Sequence, residues 1–228
     1  MAKKKNKNEE VIVDVQEVYS KTELFIEKHQ KSIIGVVAAI AILVAGYFAY
    51  KSFYLKPLQV EAQQEMFMAE KYFAIDSMNL AINGDNNYPG FLEIIDNYGA
   101  TKSGNLARYY LGIAYLRTGR YEAAISALKD FNKEDEFIGT IALGAIGDAF
   151  IELGDINQGI EYYEKASKRS PDEFTTPVYL KKAAQAYELL GEYDEALEKY
   201  EAIKKDYTNT PEASEIDKYI ARAESLSR

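Results

Sequence analysis

Apolar residues recur at three- and four-residue intervals along most of this chain, and three stretches repeat one such pattern position for position. Tyr110–Leu128 reads YLGIAYLRTGRYEAAISAL, Ala145–Ala166 reads AIGDAFIELGDINQGIEYYEKA, and Ala183–Ile203 reads AAQAYELLGEYDEALEKYEAI. The spacing predicts two amphipathic helices per stretch, joined by a tight turn. Each turn holds a glycine, and Gly119, Gly154 and Gly191 lie 35 and 37 residues apart. Glycine enters the left-handed backbone region that ends a helix without a Cβ penalty.

Two antiparallel helices cross closely only where one of them is small. The first helix offers Gly112, Gly147 and Ala184 at the crossing, and the second offers Ala124, Gly159 and Ala196. Larger side chains recur around them: Tyr115, Phe150 and Tyr187 in the first helix, Leu128, Tyr163 and Tyr200 in the second. Tyr121, Ile156 and Tyr193 are placed to pack back across the turn. Packing alone explains this alternation, so these residues are read as core.

The apolar pattern changes upstream. Ser32–Tyr50, SIIGVVAAIAILVAGYFAY, is 19 residues without a charge, bracketed by Lys31 and Lys51. As a helix it spans roughly 28 Å, the thickness of a bilayer's hydrocarbon core, and it satisfies its own backbone hydrogen bonds there. Tyr47, Phe48, Tyr50, Phe53 and Tyr54 crowd its far end, as aromatic rings do at a membrane interface. Thirty-one residues precede the run and no small-x-small cleavage site follows it, which favours an uncleaved anchor over a signal peptide. Before it, Val11–Lys31 is amphipathic, with Val11, Val15, Val18, Phe25 and Ile26 at helical spacings, and Met1–Asn8 is a basic tail. His29, beside Lys28 and Lys31, reads as solvent-facing rather than as a ligand.

Past Pro57 the helical pattern resumes over Leu58–Ile82, followed by the loop Asn83–Tyr88 and a second helix over Pro89–Tyr98. Gly90 precedes Ala124 by 34 residues, so this pair is expected to form a degenerate first repeat with Gly90 at its crossing. Glu212–Ser227 carries Ile216, Tyr219, Ile220 and Ala223 on one face and is expected to cap the array.

Charge orients the chain. Residues 1–31 hold seven lysines, whereas residues 51–70 hold Lys51 and Lys56 only. The positive-inside tendency places the N-terminus in the cytoplasm and the repeats across the membrane, which in a bacterium is the periplasm. Residues 32–228 carry 20 basic and 30 acidic side chains, a balance that gives phosphates no basic stripe and argues against nucleic-acid binding. Cysteine is absent and the one histidine is His29, so the repeats lack the histidine and cysteine that nucleophilic triads, dyads and most zinc sites need. No glycine-rich loop follows a strand. Neither catalysis nor a cofactor nor a metal is expected.

The recurring small, large and glycine positions resemble those of tetratricopeptide repeat (TPR) proteins. That resemblance implies a TPR-type right-handed helical-hairpin solenoid, and with the uncharged stretch before it the expected fold is all-α, a single transmembrane helix followed by that solenoid. It also implies a protein-binding groove lined by the first helix of each repeat. Matched positions are Tyr72, Ile75 and Asn79, then Tyr109, Ile113, Leu116 and Arg117, then Asp148, Ile151 and Glu152, and finally Lys181, Gln185 and Glu188. Tyr109 and Ile113 stand where a carboxylate-clamp cochaperone would need Lys and Asn, which argues against that function.

The expected organisation is a cytoplasmic basic tail and amphipathic segment (1–31), a transmembrane helix (32–50), a juxtamembrane linker (51–60), a TPR array of one degenerate and three clear repeats (61–211), and a capping helix (212–228). This layout resembles the YfgM-like ancillary subunits of the bacterial SecYEG translocon. The likeness implies an inner-membrane scaffold beside that channel, handing unfolded secreted chains to periplasmic chaperones or prolyl isomerases. Two other readings stay open: a scaffold for another envelope complex (outer-membrane protein assembly, cell wall or division), and a self-assembling structural protein, a homo-oligomer using its 19 tyrosines.

Overall fold

The computed structural model describes residues 15–227, with side chains from Glu27 onward. The basic tail Met1–Asn8 and the start of the amphipathic segment lie outside the described residues. The chain divides into two compact units, residues 1–54 and 55–228.

In the first unit, helix α1 (Val15–Ala49) runs without a break from the amphipathic segment through the uncharged stretch. A π-helical turn, Tyr50–Leu55, follows it. No residue of α1 with a described side chain is buried, and Ile42 and Leu43 are more than seven-tenths exposed. Among the described residues there is one helix long and apolar enough, by length and composition, to cross a membrane.

Among its described residues the second unit consists of helices joined by turns and loops, with an isolated bridge between Gly84 and Pro89. It begins with α2 (Lys56–Ala74), α3 (Met78–Asn83) and α4 (Phe91–Tyr98). Three hairpins follow: α5 (Lys102–Arg117) with α6 (Tyr121–Asp130), α7 (Glu136–Glu152) with α8 (Ile156–Arg169), and α9 (Thr176–Leu190) with α10 (Tyr193–Asp206). A short turn of helix, α11 (Pro211–Ser214), leads into α12 (Ile216–Leu226).

The hairpins close where the pattern requires. Gly119, Gly154 and Gly191 take φ of 72°, 81° and 76°. At the crossings, a Cβ on Gly112 would strike the Leu128 side chain, and one on Gly147 would lie 2.7 Å from the Tyr163 ring. Ala124, Ala184 and Ala196 are fully buried. The core is not one mass but a series of clusters along the stack, from Ala62–Ala114 at one end to Ala184–Ala223 at the other. In α12, Ile216 and Ala223 are buried against Tyr200 and Ile203 of α10, the capping role its apolar face predicts.

The start of the array departs from expectation. Residues 51–60, read as a linker, are helical in full: 51–55 in the π-turn and 56–60 in α2, where Pro57 sits in the first turn and removes no hydrogen bond. The single helix expected over Leu58–Ile82 is broken at Asp76, whose φ is 62°. Asp tolerates the left-handed region better than most residues, and here it takes the place of a turn glycine. Counted from Asp76, Ala69 falls at the position of Gly112, Tyr72 at that of Tyr115, Met78 at that of Tyr121 and Ala81 at that of Ala124. Ala69 and Ala81 are fully buried.

The first repeat's crossing residue is therefore Ala81 in α3, not Gly90. Gly90 instead precedes α4 at the Gly84–Pro89 bridge, where any Cβ would collide with the backbone of Gly84 and Ile82. Its second helix is split into α3 and α4 by the inserted loop, which stretches the spacing from Asp76 to Gly119 to 43 residues.

Candidate protein-binding groove

The groove positions fall into three groups. The apolar ones pack within the chain. Tyr109 lies between Tyr110 and Phe131, with ring centroids 5.6 and 5.7 Å away, and burial raises its hydroxyl pKa. Ile113 and Leu116 pack on the cluster around Ile125 and Ile146, and Ile151 fills the space above Gly159.

The charged positions are mostly paired between neighbouring repeats. Arg117 of α5 reaches back to Asp76 (3.6 Å) and lies 4.8 Å over the Phe73 ring. Asp148 of α7 accepts two hydrogen bonds from Lys182 of α9, at 2.7 and 2.9 Å, and one from the Tyr163 hydroxyl at 2.6 Å. Glu188 of α9 accepts from Arg222 of α12, the Nε bond being 3.2 Å long. Asp148 to Lys182 and Glu188 to Arg222 are each 34 residues apart. One repeat length thus carries an acid onto the base of the next hairpin. Lys181 lies 4.8 Å over the Tyr219 ring of the cap.

The third group stands open. Gln185 and Glu152 are exposed. Glu152 accepts a 3.2 Å hydrogen bond from the Tyr121 hydroxyl, and that bond raises the Tyr121 pKa. Among the described residues Glu152 has no basic partner.

The first repeat does not supply the expected trio. Tyr72 stands in the register of the core wedges, and its hydroxyl donates to Asp85 of its own loop at 2.5 Å. Asn79 belongs to α3, a different element, where its carbonyl accepts from the Asn83 side chain. Ile75 is exposed at the Asp76 turn. In the register that Asp76 sets, the positions matching Tyr109, Ile113 and Leu116 are Met66, which is buried in the core, Glu70 and Phe73. Burial raises the Glu70 pKa. Lys182, Arg222 and Phe73 were not legible as partners from helical periodicity within single repeats. The 34-residue spacing of acid and base was the signal that locates the first two.

Hydroxyl-to-carboxylate bonds recur beside these pairs. Tyr187, pushed up to about 12 by burial and by its bond to Glu164, belongs to the same network as Lys199, which sits 3.4 Å from that carboxylate.

A fold of stacked hairpins with small residues at each crossing defines a helical-repeat protein. The tetratricopeptide repeat profile matches residues 91–134 and 145–214, together half of the chain, and the chain belongs to that family. No curated protein matches it. Among solved structures it is similar to a protein from Podosopora anserina described as a putative kinesin light chain with nearly identical TPR-like repeats, and to a singly substituted form of that protein. Both align with a TM-score of 0.56 at 15% identity, covering 73% of this chain and 86–87% of theirs. At that identity the likeness concerns the fold. TPR arrays are protein-interaction scaffolds and are typically without catalytic activity, and that is the class of this protein.

Proposed function

We propose that the chain is a single-pass inner-membrane protein whose TPR unit lies in the periplasm and holds other proteins there, at the Sec translocon. One observation carries the membrane part of this reading: α1 and the Tyr50 that follows it present an uncharged 19-residue stretch with no buried residue along it. Such a surface needs lipid or a partner to cover it. The seven lysines before the stretch and the acidic repeats after it support the orientation. The layout of basic tail, anchor and acidic array, similar to that of the YfgM-like translocon subunits, supports the site of action and a role in passing secreted chains to chaperones or prolyl isomerases. The candidate contact residues are the open groove positions, Gln185 and Glu152, with Arg117 and Lys181 at their margins.

Protease treatment of intact cells and of spheroplasts tests the topology. Residues 55–228 are expected to be cut only once the outer membrane is opened; protection in spheroplasts would reject the orientation. A photo-crosslinker at Gln185 in native membranes is expected to capture a channel subunit. Adducts confined to outer-membrane assembly or cell-wall proteins would move the scaffold to another envelope complex.

A further inference from the structure

The joint between the α5–α6 and α7–α8 hairpins differs from its neighbours. At three other places along the groove charged side chains close on each other within the chain: Arg117 on Asp76, Lys182 on Asp148, Arg222 on Glu188. At this joint a cleft of about 290 Å³ opens between Leu116, Tyr121, Asp148, Ile151, Glu152 and Tyr163. Its walls are two aliphatic side chains and two tyrosines. Asp148 is already held by Lys182 and Tyr163. Glu152 is not: the neutral Tyr121 hydroxyl is its hydrogen-bond donor, and no base pairs with it among the described residues.

We propose that this cleft receives a lysine or arginine side chain of the bound polypeptide. The aliphatic stem would lie along Leu116 and Ile151, and the cationic head would meet the Glu152 carboxylate beside the tyrosine rings. Three features fit that occupant. The volume suits one long side chain rather than a folded surface. Lysine and arginine bury their methylene stems on apolar walls while keeping the charged head near water. The missing charge is positive, and the partner supplies at this joint what α9 and α12 supply at theirs. An acidic side chain would face Glu152 and Asp148 together and is excluded by repulsion. The inference rests on the groove being the protein-binding surface, and it adds which residue the bound segment must carry.

A defined array of random-sequence 15-residue peptides, probed with the full chain in detergent, tests it. The comparison is between the unaltered protein and Glu152→Gln, with a thermal melt as the control for folding. Peptides bound by the unaltered chain are expected to be enriched in Lys or Arg, and the variant is expected to bind those peptides roughly tenfold more weakly, the worth of one charge-assisted hydrogen bond. Replacing the basic residue of a bound peptide by norleucine should cause the same loss, and Glu152→Gln should cause no further one. Binding without basic enrichment, or binding equal in the variant, would overturn the cleft assignment while leaving the groove intact. Absence of binding to any peptide would overturn the groove reading itself.

Discussion

Two glycines one contact apart meet different fates when a methyl is added. On Gly147 the new Cβ would sit 2.7 Å from the Tyr163 ring and 3.1 Å from the Gly159 carbonyl, neither of which has a flexible end to withdraw. On Gly159 it would strike the Cδ1 and Cγ1 atoms of Ile151, an aliphatic side chain that yields more easily than a ring, and would meet the Gly147 carbonyl only at 3.4 Å. Alanine improves intrinsic helix propensity by about 1 kcal/mol over glycine, whereas overpacking costs about 1–3 kcal/mol. Gly147→Ala is therefore expected to lower stability by up to about 2 kcal/mol in chemical denaturation, and Gly159→Ala to cost less. Equal effects would mean that the crossing is looser than these contacts imply.

Glu70 gives a residue-scale prediction in pH. Burial raises its folded-state pKa above the ordinary value of 4.5, so the protonated form is the one the fold prefers. At pH below that value the carboxyl is protonated folded or unfolded and the fold is not penalised. As pH rises through and beyond it, the unfolded chain releases the proton more readily and stability falls. Glu70→Gln is expected to raise the melting temperature at about pH 7 and leave it nearly unchanged at about pH 3. A gain of equal size at both would assign the effect to something other than ionisation.

At the scale of elements, each hairpin is half of a sandwich and needs its neighbour. The last one, α9–α10, is covered by α12, whose Ile216 and Ala223 complete the cluster around Ala184, Ala196, Tyr200 and Ile203. Deleting residues 211–228 is expected to expose that cluster and remove about 3–5 kcal/mol of apolar burial from Ile216 and Ile220. Because solenoid repeats are stabilised by nearest neighbours, the loss should be local. Amide exchange should accelerate across α9 and α10 while α5 and α6 stay protected. Uniform acceleration would show the array to be a single cooperative unit. The first repeat shows a second element-scale effect. Its turn is made by Asp76 rather than glycine and its second helix is interrupted by a loop, so a search for turn glycines passes over it. The buried small residues Ala69 and Ala81 still hold the register.

At the scale of the molecule, the two units differ in what becomes of their apolar surface. The uncharged run of α1 is exposed along its length, while the helices after Leu55 bury their apolar faces on each other. A chain starting at Leu55 is expected to stay in the supernatant after ultracentrifugation and to show a helical circular-dichroism spectrum. The full chain is expected to sediment with membranes and to resist carbonate extraction. A full chain that washes off with carbonate would reject the anchor.

Periodicity and the recurrence of small, large and glycine positions sufficed to predict the helices of the three clear hairpins and the residues at their crossings, though not those of the first repeat, because those features depend on which face of a helix is apolar and on which residues allow close approach. Both are local properties of the chain. Which groove residues stand open was settled only by the stack. Arg117, Asp148 and Glu188 look equally available in the sequence, yet each is closed by a partner from a neighbouring repeat or turn, and Tyr72 and Asn79 leave the groove set once Asp76 resets the register. Charge pairing across repeats depends on how hairpins lie against each other, and only the folded array places Lys182 on Asp148 and leaves Glu152 without a base.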